Sequence, residues 1–354
     1  MARIGINPAR GMVSDYHPAR ISLTVISYIP ELTGYFADRL KILSLSVASL
    51  IQHTTYPYDL VVFDNGSCPE VVDFWRHLQL DGNVDYLILS DKNIGKIGAL
   101  RILFQAAPGE IIAYSDDDIL FYPGWLAENL KILEAFPKVG MVSGVAVRNA
   151  ALHAHHSLDQ LVQHPLPGLT VSFERCIPDE WERDWAASTG RDPQSYLQDS
   201  KDRQDTVLKI SHHPGSPPSE EETVSEAIGS ANHFQFIARK EIILQALPAD
   251  WSGKLMGHML ELDQAVDDLG YLRLSTCKRT TRHLGNTVSS DMMAEAQKLG
   301  LNLDGVGNPE SGLLLSRNLP RKPGNHRKRW LNRIPGSRRI LMWTYKRLFE
   351  ILYQ

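Results

Sequence analysis

Strand-like runs alternating with helix-like runs predict an α/β protein, a mostly parallel sheet with helices on both faces. Two observations carry this. Short apolar, β-branched runs recur at 21–27, 60–63, 86–89 and 111–114, separated by stretches with apolar residues at helical spacing. Each run also ends abruptly in polar turn residues, where sheets of this kind place their ligands.

Residues 1–20 have no clear periodicity and form a lead-in. Ile21 to Ser27 alternates as a strand, and Leu40, Leu43, Val47, Leu50 and Ile51 then mark a helix over 38–54. The run 60–63 stops at Asp64-Asn65-Gly66-Ser67. A third strand, 86–89, leads into a helix near 98–107, and the fourth strand follows at 111. These elements make a first half, 21–147. From 148 to 228 the pattern degrades into an expected irregular insertion, rich in histidine and containing Pro217-Pro218 and Glu220-Glu221-Glu222. Order returns over 229–286, with a strand near 232–237, a helix at Lys240, an amphipathic helix around Leu262, Val266 and Leu269 closed by Gly270, and a last strand from Tyr271. A basic extension, 287–354, ends the chain.

With 354 residues, 43% hydrophobic and 22% charged, the chain has the composition of an ordinary globular protein with a sizeable core. Its 37 bases and 41 acids are unevenly placed, because Arg317 onward carries eleven Lys or Arg against one acid, Glu350. The body is therefore acidic and the tail basic. Three widely spaced cysteines, Cys68, Cys176 and Cys277, argue against a disulfide framework or zinc cluster and fit a reducing compartment. Neither a signal peptide nor a membrane span is evident, so a cytoplasmic location is expected.

The sharpest motif is Tyr114-Ser115-Asp116-Asp117-Asp118 after an apolar strand. Three adjacent carboxylates repel one another unless they are solvated or hold a cation. If the chain stays extended there, Asp116 and Asp118 point the same way. Two such carboxylates suit a hard divalent ion that also takes phosphate oxygens. Asp64, after the second strand, is a candidate acceptor for a base or ribose. Asn93, Gly95 and Lys96 open a helix, where backbone N–H groups and a lysine can hold phosphate.

Together, the order strand–Asp64-Asn-Gly-Ser, then Asn93-x-Gly95 at a helix start, then strand–Asp116-Asp-Asp with Pro123-Gly124-Trp125, resembles the family 2 glycosyltransferases, which have the GT-A fold. The resemblance covers about 21–147 well and 229–286 less well. It implies that 21–147 is the nucleotide-sugar-binding half and 229–286 the acceptor and catalytic half, with 148–228 facing the acceptor. It further implies that Asp64, Asn93, Gly95, Lys96, Asp116 and Asp117 contact the donor. Asp118 and Asp116 would hold Mg2+ or Mn2+, joined by His283 of Arg282-His283-Leu284-Gly285-Asn286. Glu261 and Asp263 fall where the family places an acidic pair that includes the catalytic base. Here Leu262 separates them, so only one is expected to face the site.

The function implied is metal-assisted, inverting transfer of a hexose-like sugar from a nucleoside-diphosphate sugar to the hydroxyl of a glycan, lipid-linked or small-molecule acceptor, as in polysaccharide biosynthesis. Two alternatives stand beside it: a non-catalytic sugar-nucleotide or glycan binder of the same fold, and a DxD phosphohydrolase. Against the latter, Leu120 replaces the Thr or Val that such enzymes carry, and a full nucleotide-binding half precedes the motif. In the tail, Leu341, Tyr345, Leu348 and Leu352 at helical spacing beside Arg338, Arg339, Lys346 and Arg347 read equally as a stripe packed on the core or as a basic amphipathic helix. In the second case 317–354 meets an anionic membrane surface, placing the protein at the inner face of the membrane. Nucleic acid is not an expected partner, since the body is acidic and the bases lack interleaved aromatics.

Overall fold

The computed structural model describes residues 16–211, 224–248 and 259–301. The lead-in up to 15, the His-Pro-Glu run 212–223, the stretch 249–258 and the basic extension from 302 lie outside the described residues. Contacts divide the chain into a unit Pro18–Leu319 and a unit of Met1–His17 with Pro320–Gln354; the elements below all belong to the first.

Four parallel strands form one side of the sheet: β1 (Ile21–Ser27), β2 (Tyr58–Asp64), β3 (Tyr86–Leu89) and β4 (Ile111–Ser115), ordered β3-β2-β1-β4. Helices α1 (Arg39–His53), α2 (Pro69–Leu80) and α3 (Lys96–Ala106) connect them. Alternation along each strand explains the two-faced burial. Ile21, Leu23 and Val25 of β1, Leu60 and Val62 of β2, and Ile111 and Ala113 of β4 share one apolar cluster with Leu43 and Val47 of α1 and Phe74 and Trp75 of α2. The intervening Ile26, Val61, Phe63, Ile112 and Tyr114 share the opposite cluster with Leu100, Leu103 and Phe104 of α3. Strands buried on both sides read as unbroken apolar runs, which is how they announced themselves.

After β4 come β5 (Ile119–Phe121), α4 (Trp125–Ala135) and β6 (Val139–Ser143). Within the stretch expected to be irregular, 148–228, the described residues carry regular elements. It holds α5 (His156–Gln163), β7 (Leu169–Glu174), α6 (Asp179–Ser188), α7 (Pro193–Ser200), β8 (Asp205–Ser211) and β9 (Val224–Ile228). Its centre is ionic rather than apolar, which is why hydrophobic spacing does not betray it. Buried Arg148 pairs through Nε with Asp205 Oδ1 at 2.9 Å, while Asp205 Oδ2 accepts from the Cys176 and Ile177 amides, both at 2.8 Å.

The second half supplies β10 (Gln235–Arg239), α8 (Lys240–Ala246), α9 (Met259–Asp268), β11 (Leu272–Ser275), β12 (Thr281–His283) and α10 (Ser290–Lys298). Strand β10 runs antiparallel between β4 and β6, and the sheet continues β6-β11-β9-β8-β7. A separate ribbon pairs β12 with β5, setting His283 opposite Ile119. Among the described residues no helix is long and apolar enough to cross a bilayer.

Two strand-end loops touch where Gly66, at φ +88°, passes the backbone of Lys92; a Cβ at Gly66 would stand 2.7 Å from the Lys92 carbonyl carbon. Gly66→Ala combines a left-handed backbone with a backbone collision and should cost about 2 kcal/mol or more. Thermal denaturation should then show a Tm several degrees lower, and an unchanged Tm would mean that the loops can part freely.

Candidate active site

Asp64 ends β2, Asn93, Gly95 and Lys96 lie at the start of α3, and the three aspartates follow β4, whereas His283 comes from β12 and Glu261 and Asp263 from α9. Asp64 is fully buried at the end of β2. Its Oδ2 accepts from Ser27 Oγ at 2.9 Å, and its Oδ1 accepts from the Gly66 and Ser67 amides at 3.2 and 2.9 Å. The carboxylate therefore shapes the turn that carries Asn65. Asn65 Nδ2 donates to Asn93 Oδ1 at 2.9 Å, Asn65 Oδ1 accepts from the Ile94 amide, and Asn93 Oδ1 accepts from the Gly95 amide. This bracing holds the N-terminal turn of α3 against the end of β2.

The three aspartates diverge. The chain leaves β4 at Ser115 and turns, so strand alternation no longer governs them, and Asp116 and Asp118 pair with different cations. Asp116 faces α3, where Lys96 Nζ lies 2.6 Å from its Oδ1, and it also accepts from the Tyr114 hydroxyl. Asp117 and Asp118 share the buried guanidinium of Arg39, the first residue of α1, which pairs closely with Asp117 and lies 2.9 Å from Asp118 Oδ2. Arg39 also donates to the Gly285 carbonyl and to Asn286 Oδ1. His283 Nε2 stands 3.6 Å from Asp118 Oδ2, and Asp118 accepts the Leu284 amide on its carbonyl at 2.8 Å.

Burial pushes the Asp117 carboxyl up to about 6, against the pull of Arg39. Burial acts on Asp118 as well, but His283 and Arg39 outweigh it and hold that carboxyl below the usual range. Asp117 Oδ2 and Asp118 Oδ1 are buried and have no hydrogen-bond partner.

The acidic pair on α9 separates by exposure, as a two-residue spacing requires. Glu261 is exposed, whereas Asp263 is 1% exposed. Asp263 Oδ2 meets His233 Nδ1 at 2.8 Å and Arg273 Nη2 at 3.1 Å. Arg39 and His233 were not singled out from the sequence. Arg39 did leave a signal. A base at the first position of a helix sits at the positive end of the helix dipole, where a nearby anion offsets the cost. His233 left none beyond its place before a strand.

The donor chemistry suits a divalent cation. Two buried carboxylate oxygens lack partners, and an imidazole faces Asp118. No group of three His, Cys, Asp or Glu converges among the described residues. That fits an ion held by one or two side chains and completed by phosphate oxygens and water, the usual manner for Mg2+.

Residues 36–175 match the family model described as Glycosyl transferase family 2, so the resemblance carried by the strand-end motifs holds over this segment. Solved structures similar in part include S. aureus TarS 1-349, at 17% identity and a TM-score of 0.28, covering 35% of this chain and 34% of that one. Another is a mannosyltransferase from Pyrobaculum calidifontis in complex with GDP-Man and Mn2+, at 26% identity and a TM-score of 0.29, covering 39% of each chain. GalNAc-T7 with UDP, GalNAc and Mn2+ is similar at 14% identity and a TM-score of 0.43, over 80% of this chain and 48% of that one. The chain thus covers well under two thirds of the length of each of these proteins. No curated protein matches.

Opposite pKa directions separate Asp117 from Asp118 experimentally. Asp117 has a folded pKa above its ordinary 3.8, so its ionisation costs stability; the cost is absent below 3.8 and complete above about 6. Asp118 has a lowered folded pKa, so its ionised form contributes stability that is present above 3.8 and lost as the pH falls further. Over about pH 2 to pH 8, relative to wild type, the Tm of Asp117→Asn should rise between about pH 4 and pH 6 and then level off, whereas that of Asp118→Asn should fall as the pH rises towards 3.8 and stay level above it. Melting curves across that range check this, and parallel trends would contradict the assignment.

Proposed function

We propose that the protein is a glycosyltransferase that moves a sugar from a nucleoside-diphosphate sugar to an acceptor hydroxyl, inverting the anomeric centre in a single displacement. The observation that carries this is the convergence of Asp116, Asp117 and Asp118 with Lys96, Arg39 and His283 at the carboxyl end of a parallel sheet, within or beside the segment matching the family.

On the donor side, the β2 turn ordered by Asp64 and the α3 N-terminus braced by Asn65 and Asn93 present backbone N–H groups, the natural partners of a diphosphate. Lys96, at the first turn of α3, adds a positive charge to the same region, paired with Asp116. Asp118 and His283 would hold Mg2+ or Mn2+, with phosphate oxygens and water completing the shell. Such an ion, when bound, supplies positive charge that stabilises the departing diphosphate. Arg39 keeps Asp117 and Asp118 from repelling each other and holds the 285–286 loop next to His283.

The acceptor side is the α9 end, where Asp263 and Glu261 provide the carboxylates. A cavity of about 350 Å³ opens nearby along the chain, lined among others by Arg148, His155, Asp159, Arg203, Asp205 and Ser230. Its lining mixes these polar groups with Leu152, Leu158, Ile177 and Ile228, a combination that can meet both the hydroxyls and the apolar faces of an acceptor.

Thermal unfolding with UDP and with GDP, each with and without Mn2+, tests the reading. One nucleotide should raise the Tm in a metal-dependent way, by about 2.7 kcal/mol of linkage at a hundredfold excess over Kd. Asp118→Ala should lose the metal dependence, and Lys96→Ala should weaken the nucleotide effect itself. No rise with either nucleotide would overturn the transferase reading.

A further inference from the structure

The geometry points to His233 as the group that takes the proton from the acceptor hydroxyl, with Asp263 as its positioning residue. This rests on the transferase reading and assigns the base within it.

Asp263 is 1% exposed, and its Oδ2 is engaged by His233 Nδ1 at 2.8 Å and Arg273 Nη2 at 3.1 Å. A carboxylate so enclosed has no open path to a bulky acceptor. The imidazole it touches is 29% exposed. With Nδ1–H donating to Asp263, Nε2 carries the lone pair, and it has no hydrogen-bond partner among the described residues. A buried carboxylate holding an exposed imidazole in one tautomer, and stabilising the imidazolium that forms, is an arrangement that serves general-base catalysis.

The histidine is also in the right place and rigidly carried. The next residue, Phe234, accepts the Asp116 amide on its carbonyl at 2.8 Å, and its ring centroid lies 5.2 Å from that of His283. The preceding Asn232 is pinned to the end of β6: its amide donates to Ser143 Oγ at 2.6 Å and its Nδ2 to the Val145 carbonyl at 2.7 Å. Arg273 fixes the other side, donating to the carbonyls of Ala231, His153 and Ala154. Gly229 and Ser230, a few residues before His233, line the polar cavity. His233 thus follows the cavity-lining Gly229 and Ser230 and immediately precedes Phe234, which touches the aspartate cluster.

The step balances. The acceptor oxygen forms a bond to the anomeric carbon as the bond from that carbon to the diphosphate oxygen breaks. The diphosphate leaves with the electron pair, and the hydroxyl proton passes to His233 Nε2. Water as acceptor requires the same proton transfer.

Hydrolysis of UDP-glucose, UDP-GlcNAc and GDP-mannose by the full chain with Mn2+ supplies the assay, reading released UDP or GDP, with thermal shift by UDP and GDP alongside. His233→Ala should lower the rate roughly 100-fold or more, while the nucleotide thermal shift remains. Added imidazole should restore part of the rate to His233→Gly. Asp263→Asn should lower kcat with little change in KM, and imidazole should not restore it. If His233→Ala keeps the wild-type rate while Asp263→Asn or Glu261→Gln loses it, a carboxylate takes the proton directly and the proposal is overturned. A wild-type chain that neither shifts with UDP or GDP nor hydrolyses any of the three donors overturns the transferase reading, and this inference with it. The two failures are therefore distinct.

Discussion

Three consecutive carboxylates at the end of a buried strand cannot coexist without cations, and this requirement organises the molecule around them. At separations of a few ångströms in a medium of reduced dielectric, like charges repel by several kcal/mol. The fold answers from three directions. Arg39 comes from the first turn of α1, Lys96 from the first turn of α3, and His283 from the end of β12. Arg39 and Lys96 lie at helix starts, which the helix dipole disfavours for a cation. Their placement is understandable only together with the aspartates. Because Arg39 also binds the 285–286 loop, the same network ties the first half of the chain to a segment some 245 residues away. A buried ion network of this kind adds less net stability than it adds definition of one arrangement.

The parallel half of the fold was legible because its strands are covered on both faces. Ile21 to Ser27 and Tyr58 to Asp64 bury every residue, so burial itself produced the apolar runs that marked them. The Asp116–Asp118 cluster was legible for the complementary reason: nothing apolar accounts for it. The insertion escaped because Arg148, Asp205 and Glu182 form a charged centre, and a reading based on hydrophobic spacing treats such residues as surface. The β5–β12 ribbon escaped because it is made of three-residue strands joined only by tertiary pairing.

Within the site, residue types were easier to read than roles. Local rules assume a known backbone, and the turn after Ser115 removed the one assumed for Asp116 and Asp118. Once the chain leaves extended geometry, which carboxylate meets which cation is decided by distant elements. Asp64 has a structural part that its position alone did not reveal: its hydrogen bonds to Ser27, Gly66 and Ser67 shape the turn that presents Asn65. Asp263 was found by resemblance, but the imidazole beside it depends on α9 packing against the segment before β10.

Arg39, Asp118 and His283 on one side, and Arg273, Asp263 and His233 on the other, repeat one combination: a buried arginine pairs with a buried aspartate, and a histidine stands next to it. The distances give the two sets different capacities. His233 Nδ1 hydrogen-bonds its aspartate at 2.8 Å, which fixes the tautomer and turns Nε2 away as a proton acceptor. His283 uses Nδ1 on Ser188 Oγ at 2.9 Å, so its Nε2 faces Asp118 at 3.6 Å, too far for a hydrogen bond. An imidazole nitrogen and a carboxylate oxygen that face each other without bonding can serve one cation together. The outward Nε2 of His233 can serve a hydroxyl. Under the proposed function, the same three side-chain types would then make a charge-stabilising end for the donor and a proton-accepting end for the acceptor, the two sets differing by less than one ångström in the His–Asp distance.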